Sequence, residues 1–127
     1  MSLLYAPEEF WLADVETLES VCNGCGTEGW KGKLIPNSMY GLDIRIACDI
    51  HDWMYHFGKS EKDKEKADKA FLNNLIRLIN DEGGFLAWPR RYRAMTYYNA
   101  VKDFGGPAFW ANKNPKGTMK EPKGTPA

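Results

Sequence analysis

The sequence predicts an all-α domain. Apolar residues recur at helical spacing in four segments, glycine and proline punctuate the boundaries between them, and no run alternates with the period of a strand. At 127 residues and 43% hydrophobic content, the chain has the length of one domain and can bury a single core. Residues 1–112 are read as one helical domain. From Lys113 onward the chain is Lys, Pro and Gly with almost nothing to bury, so 113–127 is expected to be a disordered tail.

The first helix is expected over Glu8 to Val21. Pro7 suits a first helical position, Glu8 and Glu9 suit the positive end of the helix dipole, and Phe10, Trp11, Val15, Leu18 and Val21 repeat at helical spacing. Cys22 to Tyr40 reads as a long loop broken by Gly24, Gly26, Gly29, Gly32 and Pro36; loops of that length inside compact domains are often functional. A second helix spans Asp43 to Phe57 with Asp43 as its candidate cap. Its apolar residues Ile46, Cys48, Ile50, Trp53, Met54 and Phe57 lie on more than one side, which marks a central helix. Gly58 stops it. Ser60 followed by Asp63 resembles a capping box for a third helix running to about Asn80, which begins charged and then turns apolar until Gly83-Gly84. Pro89 opens a fourth helix carrying Tyr92, Met95, Tyr98, Val101 and Phe104, ended by Gly105-Gly106.

Composition and motifs exclude several function classes. Seventeen basic residues balance seventeen acidic ones, which argues against a dedicated nucleic-acid binder. No apolar run is long enough to span a membrane. No basic stretch followed by a long apolar core is visible at the start, so the expectation is a cytoplasmic protein or one exported by another route. Three cysteines are too few for a dense disulfide scaffold; one bridge with one thiol, or three thiols, both fit. His51 and His56 are the two histidines, too few for multi-histidine metal phosphohydrolases. H-E-x-x-H and G-x-S-x-G are absent, and Gly32-Lys33 lacks the remainder of a phosphate loop.

The informative segment is Ala47-Cys48-Asp49-Ile50-His51-Asp52-Trp53-Met54-Tyr55. On a helix His51 and Tyr55 share a face, Asp52 is rotated by about 100°, and Cys48 lies one turn before His51. Folding the second and third helices about Gly58-Lys59-Ser60 puts the hairpin midpoint between residues 59 and 60, which sets His51 and Asp68 at equal height. A carboxylate facing an imidazole accepts its N–H, fixes the tautomer and raises its basicity. Tyr55 points back toward its helix N-terminus and is placed to reach Asp68. Asp52 is left for a second task. The glycine-rich loop before it can turn carbonyls inward, and a carboxylate with carbonyls is a hard ligand set that favours calcium. A cation there would polarise an ester carbonyl while His51 draws a proton from water.

The motif C-x-x-H-D-x-x-Y over Cys48 to Tyr55, the upstream glycine loop, and Ala67-Asp68-Lys69-Ala70-Phe71 downstream resemble the phospholipase A2 family over roughly Cys22 to Leu75. The order Cys25, then Tyr40-Gly41-Leu42-Asp43, then Cys48 to Tyr55 is most similar to its compact bacterial and fungal branch. The resemblance implies calcium-dependent hydrolysis of the sn-2 ester of glycerophospholipids at a membrane surface. His51, Asp68 and Tyr55 then form the catalytic set, and Asp52 with the carbonyls of Gly24 and Gly26 holds Ca2+. It also implies a bridge to Cys48 from the loop, with Cys25 the favoured partner. The multi-disulfide framework of animal secreted members is missing, and the calcium loop fits a register starting at Cys22 or at Gly24.

Two other readings stand beside this one. Cys22, Cys25, Cys48 and His51 have the Cys3His spacing of a structural zinc site, which would make the chain an interaction module. A phospholipase-like fold without turnover is the third. Plainer roles also exist for single residues: a solvated charge for Asp68, a core tyrosine for Tyr55. Leu3, Leu4, Phe10, Trp11 and Trp30 are candidates for membrane contact, with core packing the stronger expectation for Phe10.

Overall fold

The expected first helix folds as two, α1 (Glu8–Leu12) and α2 (Val15–Val21). The break is chemical. Asp14 Oδ1 accepts from Thr17 N–H at 2.8 Å, so Asp14 caps a new helix, while Ala13 is extended at ψ 146°. Pro7 stands at the cap of α1 rather than at its first helical position. The computed structural model describes residues 4–22, 25, 35–111 and 113.

A short hairpin qualifies the all-α expectation: β1 (Ser38–Met39) pairs antiparallel with β2 (Leu42–Asp43). Its turn places Tyr40 at φ 50° and Gly41 at φ 85°, the two positive values that a tight two-residue turn requires. Strands this short show no alternation that a sequence pattern could register. Buried Arg90 ties the turn down by donating to the carbonyls of Met39 and Tyr40, and Arg93 lies over the Tyr40 ring at 5.1 Å.

Three long helices follow: α3 (Arg45–Phe57), α4 (Glu61–Glu82) and α5 (Ala87–Phe104). Asp43, expected as the cap of α3, belongs instead to β2, although its carboxylate accepts from Arg45 N–H at 2.9 Å. Ser60 Oγ accepts from Asp63 N–H at 3.1 Å, and Asp63 returns the bond to Lys59 N–H at 2.8 Å, one residue before the position of a strict capping box. Gly83 and Gly84, both at positive φ, reverse the chain into α5, which begins two residues before Pro89. Proline is tolerated there because first-turn amides have no intrahelical acceptor. A further helix, α6 (Gly106–Trp110), follows at the glycines expected to end the fourth helix, and Lys113 N–H bonds Trp110 O at 2.9 Å.

α4 lies between α3 and α5. Its residues Phe71, Leu75 and Ile79 are fully buried against Ile44, Ala47 and Cys48 of the α3 side and Ala94, Tyr97 and Val101 of α5. Each such apolar side chain stabilises the fold by roughly 1.5–3 kcal/mol. Phe10 of α1 docks on Ile50 and Trp53 of α3, and Phe109 of α6 packs on Tyr55 and Ala67. Buried Asn74 of α4 holds the N-terminal segment by bonding both backbone groups of Tyr5. Among the described residues no helix is long and apolar enough to cross a membrane.

Candidate functional site

The site forms where α4 returns along α3. His51 is fully buried near the middle of α3, and its Nε2 lies 2.8 Å from Asp68 Oδ1. One turn on, the Tyr55 hydroxyl donates to the same oxygen at 2.8 Å. The structure thus brings together His51, Tyr55 and Asp68. The His51 ring lies between Tyr55 at 4.1 Å and Phe71 at 4.9 Å, so packing as well as hydrogen bonding sets its orientation.

The other carboxylate oxygen is taken by a residue that the sequence analysis missed. Lys64 Nζ donates to Asp68 Oδ2 at 2.8 Å, with both side chains almost wholly buried. Lys64 sits in the charged first turns of α4, where composition reads as a solvated face. The available signal was its spacing, four residues before Asp68 on one helix. Gly105 leaves the room that this cluster needs. A Cβ there would collide with the Tyr55 hydroxyl and the Val101 carbonyl.

The electrostatics follow from burial and partners. Burial alone would raise the Asp68 carboxyl, but the hydrogen bonds from His51 and Lys64 outweigh it and hold the group below the usual carboxylate range. Tyr55 is pushed far above the usual phenol range, first by burial and then by the charge on Asp68. It therefore stays protonated and donates. An ionised Asp68 accepts, so the proton on Nε2 is the one His51 donates. In a neutral ring the lone pair then sits on Nδ1.

Asp52 is half-buried on α3. Gly24 and Gly26 lie outside the described residues. Between them, Cys25 is bridged to Cys48 with Cα atoms 5.2 Å apart, and its N–H bonds Asn37 Oδ1 at 3.1 Å. Cys48 is one turn before Asp52, so the bridge fixes residue 25 against the helix that carries this carboxylate. A carboxylate with neighbouring backbone carbonyls is chemically suited to a hard cation. No group of three or more His, Cys, Asp or Glu that could hold a metal occurs among the described residues.

The Cys3His zinc arrangement is not formed. Two of its sulfurs are bonded to each other, His51 Nε2 faces Asp68, and Cys22 Sγ lies 3.3 Å from the Asp49 carbonyl. Of the membrane-contact candidates, Phe10 is buried, Leu4 is half-buried and Trp11 is exposed; Leu3 and Trp30 lie outside the described residues. An open groove of about 560 Å³ is lined in part by Pro7, Trp53, Met54 and Phe57, and none of His51, Asp52 or Asp68 lines it.

No family model matches the chain, and no solved structure matches it significantly. Over 77 residues the chain is 39% identical to Conodipine-P3 of Conus purpurascens, a stretch covering 58% of this chain and 39% of that protein. The chain thus spans about two fifths of the length of the relative it matches.

Proposed function

We propose that the chain is a phospholipase A2-like ester hydrolase in which His51 activates water against the sn-2 ester of a glycerophospholipid. The observation that carries this reading is the buried contact of His51 Nε2 with Asp68 at 2.8 Å, supported by Tyr55 on the same oxygen. With Nε2–H committed to Asp68, Nδ1 is the base. It takes a proton from water as the water oxygen bonds to the ester carbonyl carbon. The tetrahedral species collapses with cleavage of the carbonyl carbon–oxygen bond. The proton on Nδ1 passes to the leaving alkoxide, giving a fatty acid and a lysophospholipid. Ionised Asp68 stabilises the imidazolium that forms between the two transfers.

Asp52 and the backbone carbonyls of Gly24 and Gly26 are the groups that would hold Ca2+. The ion's chemistry there is Lewis-acid polarisation of the ester carbonyl. We propose the family without its bacterial and fungal branch, because similarity to a Conus protein gives that branch no support. That similarity covers too little of Conodipine-P3 to carry over a whole protein's activity. The reading therefore rests on the residues and their geometry.

Fatty-acid release from phosphatidylcholine vesicles tests the proposal. Release is expected with calcium, is lost in excess EGTA and returns on calcium addition. His51→Ala abolishes it while the helical circular dichroism is kept. Release that persists in EGTA overturns the metal role. Absence of release by the wild-type protein with calcium overturns the hydrolase reading and leaves the phospholipase-like fold as a non-catalytic binding or structural protein.

A further inference from the structure

We infer that Lys64 is a positioning residue for this hydrolysis, holding the Asp68 carboxylate in the plane from which it orients His51. The inference rests on the hydrolase reading above for its kinetic half and on geometry alone for its structural half.

An ammonium has three N–H donors, and Lys64 finds three acceptors: Asp68 Oδ2 at 2.8 Å, Lys102 O at 3.2 Å and Val101 O at 3.4 Å. The two carbonyls belong to the last turn of α5, where the dipole favours a cation; Val101 O already accepts the Gly105 N–H at 2.9 Å and takes Lys64 as a second, longer donor. Lys64 therefore joins α4 to the C-terminal end of α5, and its position does not depend on Asp68 alone.

The division of donors over the carboxylate is what gives Lys64 leverage. Oδ1 receives His51 and Tyr55, both from α3. Oδ2 receives Lys64 from α4, one turn before Asp68 itself. Rotation of the carboxylate about its Cβ–Cγ bond would strain all three bonds together. Remove the ammonium, and Oδ2 becomes a buried acceptor without its charged donor. Rotation would then restore a donor to Oδ2 at the expense of the bond to Nε2–H. The tautomer and tilt of His51 would no longer be single. A lysine serving only to strap α4 to α5 would leave the imidazole unchanged when replaced by a side chain of equal length.

Two variants and two readouts separate these roles. Lys64→Met keeps the length and removes charge and donors; Lys64→Arg keeps both. Ring-nitrogen NMR reads the His51 tautomer without substrate and is readily assigned, because His56 is the other histidine of the chain. Vesicle hydrolysis reads kcat and KM. In Lys64→Met we expect a drop in kcat on the order of 100-fold with little change in KM, and a mixture of His51 tautomers where the wild type shows Nε2–H alone. Lys64→Arg is expected to recover most of the kcat and the single tautomer. A folded Lys64→Met variant with wild-type kcat and an unchanged tautomer overturns the inference. Should Lys64→Met fail to fold, Lys64→Gln, which keeps one uncharged donor, replaces it with the same overturning result. If the wild type releases no fatty acid, the hydrolase reading falls while the tautomer comparison still decides whether Lys64 orients His51.

Discussion

Asp68→Asn changes one atom's identity and little of the shape, so its cost can be worked from the contacts. Asparagine offers one acceptor oxygen where the carboxylate offers two. If that oxygen occupies the Oδ1 position, His51 and Tyr55 keep their acceptor and the amide NH2 confronts the Lys64 ammonium across 2.8 Å, donor against donor. If the amide is reversed, Lys64 is satisfied and the NH2 meets His51 Nε2. The ring must then accept there and carry its proton on Nδ1, the wrong nitrogen for the base. Either way a buried ion pair loses one member. Side-chain exposures of 8% and 3% leave little solvent to screen the loss. The expected destabilisation is about 3–5 kcal/mol, read as the shift in urea unfolding of the two proteins. The tautomer penalty is expected to lower kcat by about four orders of magnitude. A loss below about 1 kcal/mol, the scale of an exposed pair, would show that Lys64 and Asp68 do not interact as described. Undiminished hydrolysis would remove Asp68 from the chemistry.

Three further outcomes are expected. The carboxyl of Asp68 is depressed in the fold, so the stability it contributes is present above the unfolded carboxylate value of about 3.9 and is lost as pH falls toward its folded value. Urea midpoints of the wild type should fall more steeply below about pH 4 than those of Asp68→Asn, and parallel curves would contradict this. Replacing Cys25 and Cys48 together by alanine should cost about 3 kcal/mol from the entropy of the loop that the bridge closes across a separation of 23 residues. An unchanged urea midpoint would count against the bridge. Gly105→Ala should cost about 1–3 kcal/mol by driving Tyr55 off Asp68 and by crowding the Val101 carbonyl, and the first part of that loss should be absent in a Tyr55→Phe background. A double-mutant cycle with no coupling would refute the contact.

What the sequence made legible was set by periodicity and by arithmetic along the chain. The end of α3 and the start of α4 followed from Gly58 and Ser60, whereas α3 begins two residues after the expected Asp43 and α4 runs two residues past the expected Asn80. Equal height of His51 and Asp68 followed from counting out from a three-residue turn, and the structure sets the two in contact. Azimuth was not legible. Whether Lys64 faced water or Asp68 depends on how α5 sits against α4, and a run of alternating charges carries no trace of that. The break at Ala13-Asp14 was written in the Asp14-to-Thr17 spacing but was outweighed by apolar periodicity running across it. The hairpin depends on Tyr40 adopting a left-handed conformation, held by contacts from Arg90 and Arg93 some fifty positions away, which no local pattern contains. Neither the proposed calcium ligands Gly24 and Gly26 nor the membrane-contact candidates Leu3 and Trp30 fall within the described residues.

The distribution of donors around Asp68 also makes the cluster a gauge of helix register. Lys64 and Asp68 ride on the same helix, so their bond survives any sliding of α3 along α4, whereas the bonds from His51 and Tyr55 do not. A slip of one residue moves a helix by about 1.5 Å, enough to break both. Core substitutions far from the imidazole that shift α3 by a fraction of a turn would therefore break the His51 and Tyr55 bonds to Asp68 before they unfold the chain.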